Sequence, residues 1–309
     1  MDGHRVKFIL SALIVLLYIA GCGGAENQGP IQPNASTDAD ENETEQTSED
    51  DEQYNPEENI ENFSHDNFDN PTEITNQWMP LKAGTQYIYQ GVTEESGIVT
   101  EHEVIFTITD LIKVVDGIES VVIWDRDYSE GNLVETELAF FAQDNDGNVW
   151  RMGEYPEVYE KGVLVEAPAW ISGLKNAVAG VMMPANPTVG APSYSQGWGP
   201  AVDFTDRAQV DEDGLEVCVE IDCYDNVIMT AEYSRSEPNA FQLKYYAPGV
   251  GNIKVDWRGD DATRETLELV EIKELSAAEM EEVREMALQL EQSAYETSKE
   301  VYDQTEPAQ

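Results

Sequence analysis

Histidine is almost absent from this 309-residue chain, which has three: His4, His65 and His102. That scarcity removes most zinc sites and His-based triads from consideration, since these need imidazole as ligand or general base. Basic residues are also few, 17 Lys and Arg against 62 Asp and Glu, for a formal net charge of −45. A chain this acidic repels the phosphate backbone of nucleic acid and anionic headgroups over about 8 Å at physiological salt, so no nucleic-acid partner is expected. Long apolar runs are missing too. The one run, Phe8 to Ala20, is 13 residues long and too short to span a bilayer as a helix.

What that run does fit is a signal peptide. Arg5 and Lys7 precede it, and it ends in Ile19-Ala20-Gly21-Cys22. Small residues before a cleavage point suit a signal peptidase, and a cysteine directly after them resembles the bacterial lipobox, in which the thiol takes a diacylglyceryl group. Cys22 is therefore the expected lipidation site, after removal of residues 1–21, and the membrane is the expected partner through that lipid. Two or more acyl chains make such an anchor stable. Gly23, in place of aspartate, favours the outer membrane by resemblance to known sorting if the organism has two membranes; otherwise the outer face of the cell membrane is expected.

Residues 22–72 are dominated by Asp, Glu, Asn, Ser, Thr, Gln and Pro, with no Lys or Arg from Gly23 onward. Too little apolar surface is present to offset chain entropy, so the segment reads as an acidic, disordered tether. Residues 73–275 change to short alternating runs bounded by turn residues. Strands are predicted at Thr85–Val92, Glu101–Thr109, Ser120–Arg126, Leu133–Ala142, Asn148–Met152, Glu216–Asp222, Asn226–Tyr233, Gln242–Tyr246, Gly251–Trp257 and Glu265–Ile272. Asp116-Gly117, Gly131-Asn132 and Asp146-Gly147 mark tight turns between them. The fold class is mainly β, α+β overall: an antiparallel meander, with a curved half-barrel as its alternative form, followed by a C-terminal helix.

Trp170 to Val210 interrupts this rhythm with Gly, Pro, Ala and Ser, and reads as long loops with a short helix near Leu174–Val178. Irregular segments on a rigid sheet are where binding surfaces tend to sit, which makes Trp170 and Trp198 the candidate ligand or partner contacts. Trp124 and Trp150 lie in strand patterns and read as core. At the C-terminus, Ser276 and Glu279 form a capping box that opens an amphipathic helix over 276–303. Met280, Val283, Ala287, Leu290, Ala294 and Val301 form its narrow apolar stripe, and packing on the β domain is favoured over a coiled-coil partner. Residues 304–309 read as a disordered tail.

The remaining residues with chemistry are few. Cys218 and Cys223 would point to opposite faces of a straight strand, so a disulfide requires the chain to turn at Glu220-Ile221-Asp222; otherwise they are two buried thiols. Asp144-Asn145-Asp146-Gly147-Asn148 fails as a calcium loop, because Val149 stands where such a loop needs glycine, and reads as a hairpin turn. His102 reads as a surface or edge residue. No catalytic set, metal site or cofactor is expected.

Four segments resemble those of a family of uncharacterised bacterial secreted proteins and lipoproteins. They are Pro80-Leu81-Lys82-Ala83-Gly84-Thr85, Phe140–Asp144 with Gly147–Trp150, Met183-Pro184-Ala185, and Lys244-Tyr245-Tyr246-Ala247-Pro248-Gly249-Val250-Gly251. The resemblance implies a β-rich envelope domain and transfers no site residue. The sequence thus predicts an anchored, non-catalytic envelope protein that binds an unknown envelope protein or apolar ligand. A carrier of lipid in a half-barrel and a hydrolase with paired carboxylates are the alternatives.

Overall fold

The computed structural model describes residues 60–235, 237 and 239–309. The predicted signal peptide, the lipidation site expected at Cys22 and the predicted tether as far as residue 59 lie outside the described residues.

Among the described residues, a 3-10 turn at His65–Asn67 is followed by fifteen strands and two α-helices. The strands are β1 (Thr85–Glu95), β2 (Ile98–Val115), β3 (Ile118–Ser129), β4 (Asn132–Gln143), β5 (Val149–Glu160), β6 (Val163–Glu166), β7 (Trp170–Ile171), β8 (Val178–Met183), β9 (Tyr194–Ser195), β10 (Gly197–Trp198), β11 (Arg207–Cys218), β12 (Cys223–Tyr233), β13 (Ala240–Ala247), β14 (Gly251–Gly259) and β15 (Thr263–Glu274). The helices are α1 (Ala277–Thr297) and α2 (Lys299–Tyr302).

Thirteen of the strands lie along one antiparallel path, β10-β8-β5-β4-β3-β2-β1-β15-β14-β13-β12-β11-β9, which curls into a nearly closed barrel. The two ends of the path, β9 and β10, are neighbours in sequence with only Gln196 between them, so the seam is bridged by the chain itself. The half-barrel alternative therefore gives way to a more complete closure. At the seam, an added Cβ on Gly180 would lie 2.1 Å from the backbone nitrogen of Gly197, so glycine is what lets β8 approach the Gln196 turn.

The predicted strand over Glu216–Asp222 instead straddles a hairpin turn. β11 starts earlier, inside the expected loop region, and ends at Cys218. Val219 N–H then donates to Asp222 O at 2.9 Å to turn the chain. The short helix expected near Leu174–Val178 is a tight turn closed by Ala177 N–H to Leu174 O, leading into β8.

Where α1 packs, the barrel wall is apolar on both faces. Inside, Tyr87, Tyr89, Ile108, Ile123, Phe141, Tyr246, Val255 and Leu267 form one cluster, into which Ile74, Met79 and Leu81 plug one end of the barrel. Outside, Val283, Ala287, Leu290 and Ala294 of α1 cover Leu111, Val122, Trp124, Leu138 and Phe140. The capping box at Ser276 and Glu279 is present, and the helical stretch breaks at Ser298 rather than running unbroken to residue 303.

Packing extends beyond residues 73–303 on both sides. Phe63 and Phe68 sit against the Trp150 ring at 5.5 and 6.2 Å between centroids, so packing begins well before residue 73. At the other end Gln309 exchanges two 2.9 Å backbone hydrogen bonds with Ile112, adding the tail to the barrel wall where a free tail was expected.

Candidate functional site: the interior of the barrel

Successive residues of a strand alternate between faces, so the interior can be read as columns along each strand. On β2 the inward column runs Ile108, Phe106, Val104, His102, Thr100, Ile98. It begins in the apolar cluster, passes one ionisable group, and ends at the β1–β2 hairpin tip. β3 gives Val121, Ile123, Asp125 and Asp127; β4 gives Phe141, Ala139, Glu137 and Glu135; β15 gives Leu269, Leu267, Glu265 and Thr263. The same change from apolar to charged thus occurs at one level around the wall.

At that level lies a belt of buried charge. His102 Nε2 is 2.9 Å from Glu265 and 3.9 Å from Asp127. Gln242 donates to the other oxygen of Glu265 at 2.8 Å. Lys244 Nζ is 2.7 Å from Glu232, to which Gln196 also donates, and Arg151 is 3.1 Å from Glu154. Glu137 is 1 % exposed and neither carboxylate oxygen has a hydrogen-bond partner. Burial works against charge on His102, but the Glu265 hydrogen bond and the carboxylates of Glu265, Asp127 and Asp125 carry its pKa up to about 9. Burial pushes the carboxyls of Asp125, Glu135 and Glu154 far above the usual range, in Glu154 against the pull of Arg151. Glu137 is raised by burial as well, and Asp206 is pushed up to about 7.

Two voids flank the belt. The smaller, about 90 Å³, lies on the plugged side and is bounded by Met79, Tyr87, Tyr89, Phe106, Phe141 and Tyr246, with Asp125, Arg151 and Lys244 at its polar end. The larger, about 640 Å³, is a cup at the end where the β1–β2, β3–β4 and β5–β6 hairpins turn. Ile98, Thr100, Leu133, Val134 and Tyr159 form its walls, Glu95, Glu130 and Lys161 its rim, and His102 and Thr263 its floor. One inward step below Ser129, Leu133 and Thr263 stand Asp127, Glu135 and Glu265.

The structure buries Trp170 and leaves Trp198 partly exposed. Trp170 is 2 % exposed and stacks on Phe204 at 4.9 Å between ring centroids. The glycines around it are there to make room: a Cβ on Gly197 or Gly199 would come within 3 Å of the indole. The Gly-rich character taken as a sign of loops is instead a packing device for a buried ring pair. Trp198 is half-buried beneath the Arg235 guanidinium. His102, expected at the surface, is 5 % exposed and belongs to the belt. Cys218 and Cys223 face each other across the β11–β12 hairpin and are joined by a disulfide. Among the described residues no cluster of His, Cys, Asp and Glu has the arrangement to hold a metal ion, and no helix is long and apolar enough to cross a membrane.

No family model matches the chain, so the resemblance read from its four segments rests on those segments. No curated protein sequence matches it either. Two solved structures are similar to it in fold, each over 64 % of this chain and 99 % of their own. One is a Bacteroides fragilis protein with a YmcC-like fold, inferred to be exported (11 % identity, TM-score 0.39); the other is a Parabacteroides distasonis protein inferred to be a lipoprotein (10 % identity, TM-score 0.31).

Proposed function

We propose that this chain is a lipid-anchored, non-catalytic binding module of the bacterial cell envelope, and that its ligand occupies the cup. The anchor part of the reading rests on the lipobox around Cys22. The binding part is carried by one observation: the barrel interior opens at the hairpin-tip end into a concave space of about 640 Å³ with apolar walls and an ionisable floor. That combination of size, apolar walls and a few convergent polar groups is characteristic of ligand sites.

The lipid-carrier alternative has less support, because the apolar, plugged end of the interior is nearly filled. An apolar cavity of about 150 Å³ just holds a benzene molecule, and the space of about 90 Å³ beside Tyr87 and Phe141 is smaller. The hydrolase alternative needs paired carboxylates open to a substrate, whereas the carboxyls with raised pKa lie beneath the cup floor.

The test is native mass spectrometry of the full chain extracted from its own membrane, beside a Thr100→Trp variant whose indole fills the cup. A stoichiometric companion that is lost in the variant is the expected result. Absence of any companion from the native protein, or its retention by the variant, overturns the reading.

A further inference from the structure

Two of the long-range pairings leave a backbone edge uncovered. β9 pairs with β11 only at Arg207 and Ala208, which leaves Gln209 to Cys218 open, and β6 pairs with β5 alone. The two edges are built in opposite ways. The β11 edge carries Asp211, Glu212, Asp213 and Glu216, shifts register at three places against β12, and has Gly214 at a φ of 64°. Charge and bulges of that kind keep a further strand from pairing. β6 reads Val163-Leu164-Val165-Glu166. Its aliphatic side chains are 63 %, 36 % and 44 % exposed, the one run of three consecutive exposed large hydrophobics among the described residues.

The backbone of β6 is presented as well. Lys161 and Gly162, both at positive φ, form the two-residue turn from β5, and Glu160 pairs with Val163 across it. In such a hairpin the closing pair exchanges its hydrogen bonds, so the next residue, Leu164, turns its N–H and C=O to the open side. An edge with outward backbone groups and aliphatic side chains on both faces accepts an added strand, with main-chain bonds supplying the affinity.

The surroundings select the strand. Glu160 and Glu166 flank the aliphatic run, Glu95 and Glu130 share the cup rim with Lys161, and the chain carries a net charge of −45. A second copy would bring the same acidity to this edge, and so would the chain's own residues 23–59, which contain no Lys or Arg. A bilayer surface is disfavoured by position. Glu61 accepts from the Ser195 N–H and Asp69 N–H donates to Asn145 in the β4–β5 turn, so the chain from the expected anchor enters at the other end of the barrel.

We infer that the open edge of β6 takes an extended segment of a partner protein, aliphatic at its centre and flanked by Lys or Arg, as an added strand. Aliphatic side chains of the partner cover Val163, Leu164 and Val165, and its basic ends meet Glu160 and Glu166. The net negative charge of the chain speeds the encounter. This edge lies outside the cup and adds a protein partner to the ligand proposed for the cup.

Fluorescence anisotropy on the full chain in zwitterionic nanodiscs tests the edge with labelled peptides: Lys-Thr-Val-Ile-Val-Thr-Lys, the same peptide with Glu at both ends, and the Lys form N-methylated at its central amide. The Lys-flanked peptide should bind at least ~10-fold tighter than the Glu-flanked one. N-methylation, which removes a main-chain donor, should weaken it ~10-fold. Hydrogen exchange should slow in residues 163–166 when the Lys-flanked peptide is added and stay unchanged in 209–218. Leu164→Pro, which deletes the outward N–H, should lower the affinity ~10-fold, and Thr100→Trp, which fills the cup, should leave it unchanged. Failure of the Lys-flanked peptide to bind, or equal binding of the Lys- and Glu-flanked forms, overturns the basic partner. Unchanged exchange in residues 163–166, or loss of binding in Thr100→Trp, overturns the edge as the site. Protection of 163–166 that rises with protein concentration in the absence of peptide gives the edge to a second copy and overturns the assignment. The exchange result on the wild-type chain decides the site even where a variant does not fold.

Discussion

Lys113 Nζ lies 2.7 Å from Glu291 Oε1, joining the outer face of β2 to α1 with both side chains buried. The same ammonium donates to the Glu306 carbonyl at 2.8 Å and sits 5.0 Å from the centre of the Tyr302 ring, while Glu291 accepts from the Ala308 N–H. One ion pair thus fixes the helix and the C-terminal tail to the barrel. Burial lowers the pKa of Lys113 and Glu291 opposes that, so the pair is held by mutual neutralisation.

Removing one partner leaves the other charge buried alone. Lys113→Met is expected to cost about 3–5 kcal/mol. The double variant Lys113→Met/Glu291→Leu should recover most of that, because an apolar pair of similar volume replaces the ions. Guanidinium unfolding of the full chain measures both. A single variant with unchanged stability would show that the clamp carries no weight.

The belt sets an unusual pH dependence. The carboxyls of Asp125, Glu135, Glu137 and Glu154 are raised by burial and Asp206 is raised to about 7. A group with a raised folded-state pKa binds its proton more tightly in the folded protein, so its stabilising contribution is present at low pH and is lost as pH rises through the folded value. Thermal stability should therefore increase on going from pH 8 to pH 5.5. Glu137→Gln, which removes a carboxylate with no hydrogen bonds, should raise the Tm at pH 8 and flatten this slope. A Tm that falls steadily with acid over that range would contradict the assignment.

His102 titrates at the opposite end. Its folded-state pKa of about 9 exceeds the ordinary imidazole value of 6.5. Its contribution is complete below 6.5 and disappears as pH rises through about 9, and His102→Gln should abolish that alkaline step in Tm while leaving the acid side unchanged.

The turns and the helix were legible because they depend on local chemistry: Asp116-Gly117 and Asp146-Gly147 both carry a positive-φ glycine, and Ser276 with Glu279 caps α1. The belt was not read, because Asp, Glu and Lys in a strand pattern ordinarily mark the solvent face. A signal was nevertheless available. Leu138-Ala139-Phe140-Phe141-Ala142 is apolar on both faces, which means that both faces of β4 are covered, and Glu135 and Glu137 share the inward face with Ala139 and Phe141. Closure of the barrel is a long-range property, set by Gly180 meeting the Gln196 turn, and nothing local in the sequence encodes it.

Gly180→Ala tests that closure directly. Its methyl group would sit 2.1 Å from Gly197 N and 2.4 Å from Gln196 C, both backbone atoms, so the seam must part. The expected cost is about 1–3 kcal/mol. Hydrogen exchange should accelerate in residues 178–183 and 194–198 and remain slow in α1. Unchanged exchange at the seam would show that the two edges are held independently of this contact.

The position of the seam has a further effect. An open sheet of this length would end in two long rows of unpaired backbone N–H and C=O groups, which serve as templates for pairing with other copies. Here the path ends in two strands of two residues each, tied together through Gln196. β1 and β15, the first and last strands in the sequence, pair with one another in the middle of the sheet. β9 covers β11 only at Arg207 and Ala208, and β6 pairs with β5 alone, so the backbone edges left open to another strand lie away from the seam, along β11 beyond Ala208 and on β6.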